Sequence, residues 1–206
     1  ALVAYWQTYR ISQSLGLMKL MQTGVGDDER YRQLFGEETS LKIVTPLFFD
    51  APLAPPLAAR KTGQEVDLKI VWQALSQLQQ QQDFVLIEAL GGLGSPVTYE
   101  LTVANIAADW DLPTILVVPV KLGSIAQAVA NVALARSLKV ELKGIILNCS
   151  RADVYENITD LAPVDLIQSL TQIPVLGIIP YIDALSNKQK LAQIAANLDL
   201  ERMINY

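Results

Sequence analysis

The sequence predicts an α/β fold, doubly wound around a mostly parallel sheet, and three observations predict it. Short β-branched apolar runs recur along the chain, each bounded by Gly, Pro, Asp or Asn. Longer segments with helical periodicity separate them. The runs are apolar throughout rather than alternating, as expected of strands covered on both sheet faces by β-α-β crossovers.

Taken in order, a helical segment over 1–10 precedes a strand over 16–21, and a second strand spans 41–44. The Pro-rich stretch 45–59 reads as a stiff loop. A helix over 66–82 follows, its glutamine run at 79–82 forming a solvated last turn, and then a strand over 84–87. Helices over 99–109, 124–138 and 163–170 alternate with strands over 114–118, 144–147 and 175–179. A last helix from Lys188 carries Leu191, Ile194, Ala195 and Leu198 at the spacing of one buried face. A β-α fold should open on a strand, so a strand upstream of Ala1 is expected, and 1–206 reads as one domain lacking that first strand.

Composition narrows the function. Of 206 residues, 51% are hydrophobic and 18% charged, and the net charge of −5 with a mean hydropathy of +0.28 excludes a disordered chain. The strongest apolar run, 114–120, stops far short of the roughly 18 residues of a membrane span. An acidic pI near 4.8 without a Lys/Arg cluster argues against nucleic-acid or anionic-membrane binding. One cysteine rules out an internal disulfide and points to a reducing cytoplasm. With no histidine, any chemistry falls to carboxylates, lysines and backbone amides.

In an open parallel sheet, ligands sit beyond the carboxyl ends of the strands, so the residues that follow each apolar run form the candidate rim. Lys19 lies amid Leu17, Met18, Leu20 and Met21, where an ammonium either reaches an anion or snorkels to the surface. Thr23 and Gly24 follow it. Asp27 and Asp28 either cap the next helix or bind a metal ion. Glu88 ends an apolar strand and enters Ala89-Leu90-Gly91-Gly92; it is either a strand-end carboxylate facing water or a Mg²⁺ ligand beside a phosphate loop. Gly123, Ser124 and Ile125 open a helix that either binds an anion through its N–H groups or is simply capped. Asn148 and Cys149 follow the fourth core run and Pro180, Tyr181 and Ile182 the last, with Cys149 read as a small buried residue. No Gly-x-x-x-x-Gly-Lys-Ser/Thr motif occurs in the 206 residues.

These pieces, in this order, resemble dethiobiotin synthetase, the ATP-dependent carboxylase of biotin synthesis. The resemblance runs through nearly the whole chain and is most specific from Glu88 to Ile125. Ala89-Leu90 stands where the family usually has Gly-Ala, Leu20 where it has Pro, and Ala126-Gln127 where it has Asn-His. The resemblance implies a P-loop NTPase-like fold, with the P-loop itself expected upstream of Ala1. It implies a ligase that joins CO₂ to 7,8-diaminononanoate, with ATP as co-substrate and Mg²⁺ as metal, and a homodimer.

It also implies roles. Lys19 is catalytic, Thr23 and the Gly123, Ser124, Ile125 turn bind the diamine or its carboxylate, and Asp27 or Asp28 with Glu88 holds Mg²⁺. Ala89, Leu90 and Gly91 meet the nucleotide phosphates, while Asn148, Cys149, Pro180, Tyr181 and Ile182 form the adenine edge. The nearly all-apolar helix from Ser124 is expected at the two-fold interface. Two rival readings keep the fold: a non-catalytic regulatory domain, like that attached to some phosphotransacetylases, and a membrane-cycling partition ATPase. The acidic tail, 199–206, with two acids to one base, speaks against the second.

Overall fold

A hydrogen-bond ladder between parallel strands organises each of two structural units, Leu2–Val103 and Ala104–Tyr206. The computed structural model describes residues 1–36, 40–183 and 185–204, so Asn205 and Tyr206 of the acidic tail lie outside the described residues.

The first unit opens on α1 (Leu2–Tyr9), followed by β1 (Leu15–Lys19) and the two-residue β2 (Gln22–Thr23). Next come α2 (Asp27–Phe35), β3 (Leu41–Val44), β4 (Phe48–Phe49), α3 (Pro55–Lys61), α4 (Leu68–Gln81) and β5 (Phe84–Glu88). β1 is central, parallel to β3 on one side and β5 on the other. All five of its residues are buried, which explains why the run has no polar alternation. Ser14 and Asp83 tie the starts of β1 and β5 together: the Ser14 backbone N–H and Oγ donate to Asp83 Oδ2 at 2.7 and 2.8 Å. On α4, Val71, Leu75 and Leu78 form the buried stripe, and Asp67 caps the helix by accepting from the Lys69 N–H. The exposed residues 79–81 make the solvated end that the glutamine run predicts.

The strand over 16–21 is shorter than the apolar run implies. After Lys19 the Leu20 N–H still donates to the Glu88 carbonyl, but Gln22 then donates to Leu47 and pairs with β4 instead. The stretch 45–59 is not all loop. It contains β4 and begins α3, with Pro55 and Pro56 in the helix's first turn, where a missing N–H costs little.

The first unit ends at Val103, the first residue of α5 (Val103–Asp109), and the second runs on through β6 (Thr114–Pro119), α6 (Ser124–Ser137), β7 (Leu142–Asn148), α7 (Ala152–Glu156), α8 (Ile158–Leu161) and α9 (Val164–Thr171). It ends with β8 (Val175–Ile179), α10 (Lys188–Ala196) and α11 (Glu201–Ile204). Its sheet runs β6-β7-β8, again parallel. α5 starts at Val103, not 99, because Val97 and Thr98 donate to the Leu101 carbonyl and close a turn before it. α6 buries Ser124, Ala128, Val132 and Ala135 along one stripe, leaving Ala126, Val129, Ala130 and Ala133 exposed in the single chain. On α10, Leu191 and Ala195 are buried as their spacing predicts, and Leu198 just beyond it is buried too. Among the described residues, no helix is long and apolar enough to cross a membrane.

Candidate functional site

In the first unit the site grows out of the register between β1 and β5. Lys19 is the register partner of Glu88, so the sheet itself brings the two side chains together at its carboxyl edge. The Lys19 ammonium is not a surface group: the residue is 4% exposed. Its Nζ donates to Glu88 Oε1 at 2.9 Å and to the Ala89 carbonyl at 3.1 Å, and lies 2.6 Å from Asp27 Oδ2. Both carboxylates are partly open to water.

Asp27 and Asp28 go different ways. The N-cap of α2 is Gly26, and Glu29, not either aspartate, accepts its N–H at 2.9 Å. Asp27 projects to Lys19. Asp28 is buried, and its carboxylate accepts from Arg32 Nε at 2.6 Å, Arg32 Nη2 at 3.1 Å and Thr45 Oγ1 at 2.7 Å. Burial pushes the Asp28 carboxyl up, but the Arg32 and Thr45 hydrogen bonds outweigh it and hold the group below its ordinary value. Asp28 therefore does not join the Lys19 cluster.

A cavity of about 230 Å³ opens beside the cluster, lined by Lys19, Gln22, Thr23, Asp27, Leu90 and Gly91 among others. Gly91 has φ +50°, and a Cβ there would strike Ser95 Oγ, so any other residue is strained at this turn of the Ala89-to-Gly92 loop. The donor set at the cavity is oxygen only, the chemistry that suits Mg²⁺ rather than a softer metal. Among the described residues no three or more His, Cys, Asp or Glu gather into a metal cage. Two carboxylates with the remaining positions left to water and phosphate are the usual Mg²⁺ arrangement.

The second unit holds the other candidates at its own strand ends. Gly123 is left-handed, φ 95°, and precedes α6. The Ser124 hydroxyl is consumed locally: it donates toward the Pro119 and Lys121 carbonyls at 2.7 and 2.6 Å and accepts from the Lys121 N–H at 2.8 Å. Its backbone N–H also goes to Lys121, at 3.1 Å. Ile125 follows, half-buried. Asn148 ends β7, in register with Pro119 on one side and Ile179 on the other. Next to it the Cys149 N–H donates to the Ile179 carbonyl, and burial pushes its thiol pKa up. Pro180 and Ile182 are half-buried beyond β8 and Tyr181 is exposed, so these five residues share one edge.

The sequence model of a family described as an AAA domain matches residues 1–189. The chain is 63% identical over 204 residues to the ATP-dependent dethiobiotin synthetase BioD of Gloeothece citriformis, covering 99% of this chain and 90% of that protein. The chain belongs to the ATP-dependent dethiobiotin synthetase family. The dethiobiotin synthetase of Crocosphaera subtropica is 56% identical over 98% of this chain and 90% of its own length. Among solved structures, the MinC:MinD cell division protein complex of Aquifex aeolicus superposes with a TM-score of 0.53 at 14% identity, over 93% of this chain and 79% of that one. That likeness concerns the fold alone, an α/β fold built on parallel sheets.

Sequence reasoning missed two side chains near the cavity of this synthetase-family chain, Gln22 and Glu29. Glu29 carried a signal, an acid three residues past a glycine at the start of an acidic first turn. A glutamine between Met21 and Thr23 carried none.

Proposed function

We propose that the chain catalyses ATP- and Mg²⁺-dependent carboxylation and ring closure of 7,8-diaminononanoate with CO₂, giving dethiobiotin, ADP and phosphate. The observation that carries the reading is Lys19, a buried ammonium at a sheet edge held against two carboxylates beside a cavity. In the proposed sequence one amine of the diamine adds to CO₂ and loses a proton, forming a carbamate. A carbamate oxygen attacks the γ-phosphorus of ATP and ADP leaves. The second amine then attacks the carbamoyl carbon, phosphate leaves, and the ureido ring closes.

Phosphoryl transfer asks chiefly for positioning and charge neutralisation. Lys19 supplies a fixed positive charge in a desolvated place, where it acts more strongly than in water. Asp27 and Glu88 would hold Mg²⁺, which neutralises phosphate charge when bound. Thr23 lines the same cavity and offers a hydroxyl to the diamine or carbamate. Ala89, Leu90 and Gly91 offer backbone to the nucleotide phosphates.

In the second unit, the backbone N–H groups of Gly123 and Ile125 would meet the substrate carboxylate, with Ser124 shaping their turn. Asn148 would pair its amide with adenine, beside Cys149, Pro180, Tyr181 and Ile182. The exposed small face of α6 supports a homodimer that brings this turn to the partner's Lys19 site, and the lone cysteine fits a cytoplasmic address. Dethiobiotin formation by Lys19→Ala tests the reading: loss of turnover with the fold retained supports it, and normal turnover overturns it.

A further inference from the structure

Gln22 is 3% exposed, and its amide is fully engaged rather than merely buried. Nε2 donates to the Gly24 carbonyl at 3.1 Å and to Glu29 Oε2 at 2.7 Å, using both N–H groups. Oε1 accepts from the Asp28 backbone N–H at 2.8 Å. Glu29 Oε2 accepts a second bond, from the Gly26 N–H at 2.9 Å.

Together these bonds close a ring around residues 22–29. The turn inside it is soft by composition: Gly24 at φ +70°, an exposed Val25, and Gly26. Yet it is bracketed by Thr23, which lines the cavity beside Lys19, and by Asp27, which meets the Lys19 ammonium. Gln22 spends its amide on Gly24, Asp28 and Glu29, and Glu29 spends its bonds on Gly26 and Gln22. Neither therefore acts on Lys19 directly. A residue serving only as core at position 22 would be better apolar, since a buried amide is tolerated only while every partner is in place.

We propose that Gln22 and Glu29 are positioning residues for the synthetase reaction, a buried amide–carboxylate pair that sets Asp27 and Thr23 at the Lys19 site through the 24–26 turn. The inference rests on reading the Lys19 cluster as the reaction site. It implies that losing the pair changes how the enzyme uses Mg²⁺ and diamine, beyond lowering its stability.

The test uses the full-length enzyme with MgATP and 7,8-diaminononanoate, and compares Gln22→Met, Glu29→Leu, Glu29→Gln and Lys19→Ala. Gln22→Met should lower kcat by about 10–100-fold and raise the Mg²⁺ concentration for half-maximal rate, as loss of outer-shell partners does at other metal sites. Glu29→Leu should show the same pattern, and Glu29→Gln, which keeps an acceptor oxygen, should recover most of the lost turnover. A purely structural role would lower the Tm and the active fraction but leave KM and the Mg²⁺ requirement per active site unchanged, and that result overturns the proposal. If Gln22→Met does not fold, the contrast between Glu29→Leu and Glu29→Gln decides: equal loss in both overturns it, rescue by Gln supports it. Lys19→Ala separates the two levels. An inactive Lys19 variant beside native-like Gln22→Met and Glu29→Leu enzymes overturns only the positioning pair, whereas an active one overturns the reading beneath it.

Discussion

Lys19 and Glu88 are register partners at the carboxyl ends of β1 and β5, and their side chains meet at 2.9 Å. Two parallel strands in register place a cation and an anion side by side without help from any loop. Asp27, by contrast, reaches the same ammonium from the start of α2, across a turn containing two glycines. One carboxylate of the site is therefore fixed by the sheet and the other by the turn that Gln22 and Glu29 hold.

That division makes Glu88 the simpler residue to test. Glu88→Gln keeps an oxygen for the Lys19 N–H but removes the negative charge. Dethiobiotin formation should then need at least about tenfold more Mg²⁺ for half-maximal rate, with the fold unchanged. A Mg²⁺ titration of initial rate measures this, and an unchanged requirement would remove Glu88 from the metal site.

Asp28 should matter for stability, with a pH dependence of known sign. Its carboxyl is held below the ordinary 3.8 in the folded protein, so its contribution is fully present above that value and fades as pH falls through the folded value. Asp28→Asn should cost about 1.5–3 kcal/mol at neutral pH, the range for hydrogen bonds to a charged group. The difference in urea midpoint between the two proteins should narrow below about pH 4. A difference independent of pH would show that the ionised Asp28–Arg32 pair contributes nothing.

Gly91→Ala should strain the loop twice, through its left-handed backbone and through contact with Ser95 Oγ. A non-glycine residue in that region costs on the order of 1–2 kcal/mol. The expected readouts are a lower Tm and a raised KM for ATP. A variant with native KM would mean that the Ala89-to-Gly92 backbone does not approach the nucleotide.

The exposed small face of α6 predicts a dimer. Light scattering of this 22.6 kDa chain at micromolar concentration should give twice that mass. Ala130→Arg, placed on the exposed face, should halve the mass and lower turnover if the diamine site is shared. A monomer in the unmodified protein would remove the shared site.

Much of this was legible in the sequence because the signals were long or chemically abrupt. The runs at 84–87 and 175–179 are apolar without alternation, and they became parallel strands. Lys19 stood out because a charge amid four apolar residues needs a partner. What escaped was short or ambiguous. β2 and β4 are two residues each, too brief for any periodicity, and α3 was hidden because its opening prolines also mark loops. Asp27 and Asp28 are adjacent and chemically identical, and only the fold around Arg32 and Thr45 separates their fates. Gln22 was illegible because its three partners are assembled by a turn, not by a pattern.

The central claim is that the buried ammonium of Lys19 carries dethiobiotin formation. The most direct measurement is the single-turnover rate of dethiobiotin synthesis by full-length Lys19→Ala enzyme, with circular dichroism verifying the fold. The rate should fall by about 10²–10³-fold or more, the cost of removing a group that stabilises developing charge. A folded Lys19→Ala enzyme that forms dethiobiotin at the native rate would contradict the claim.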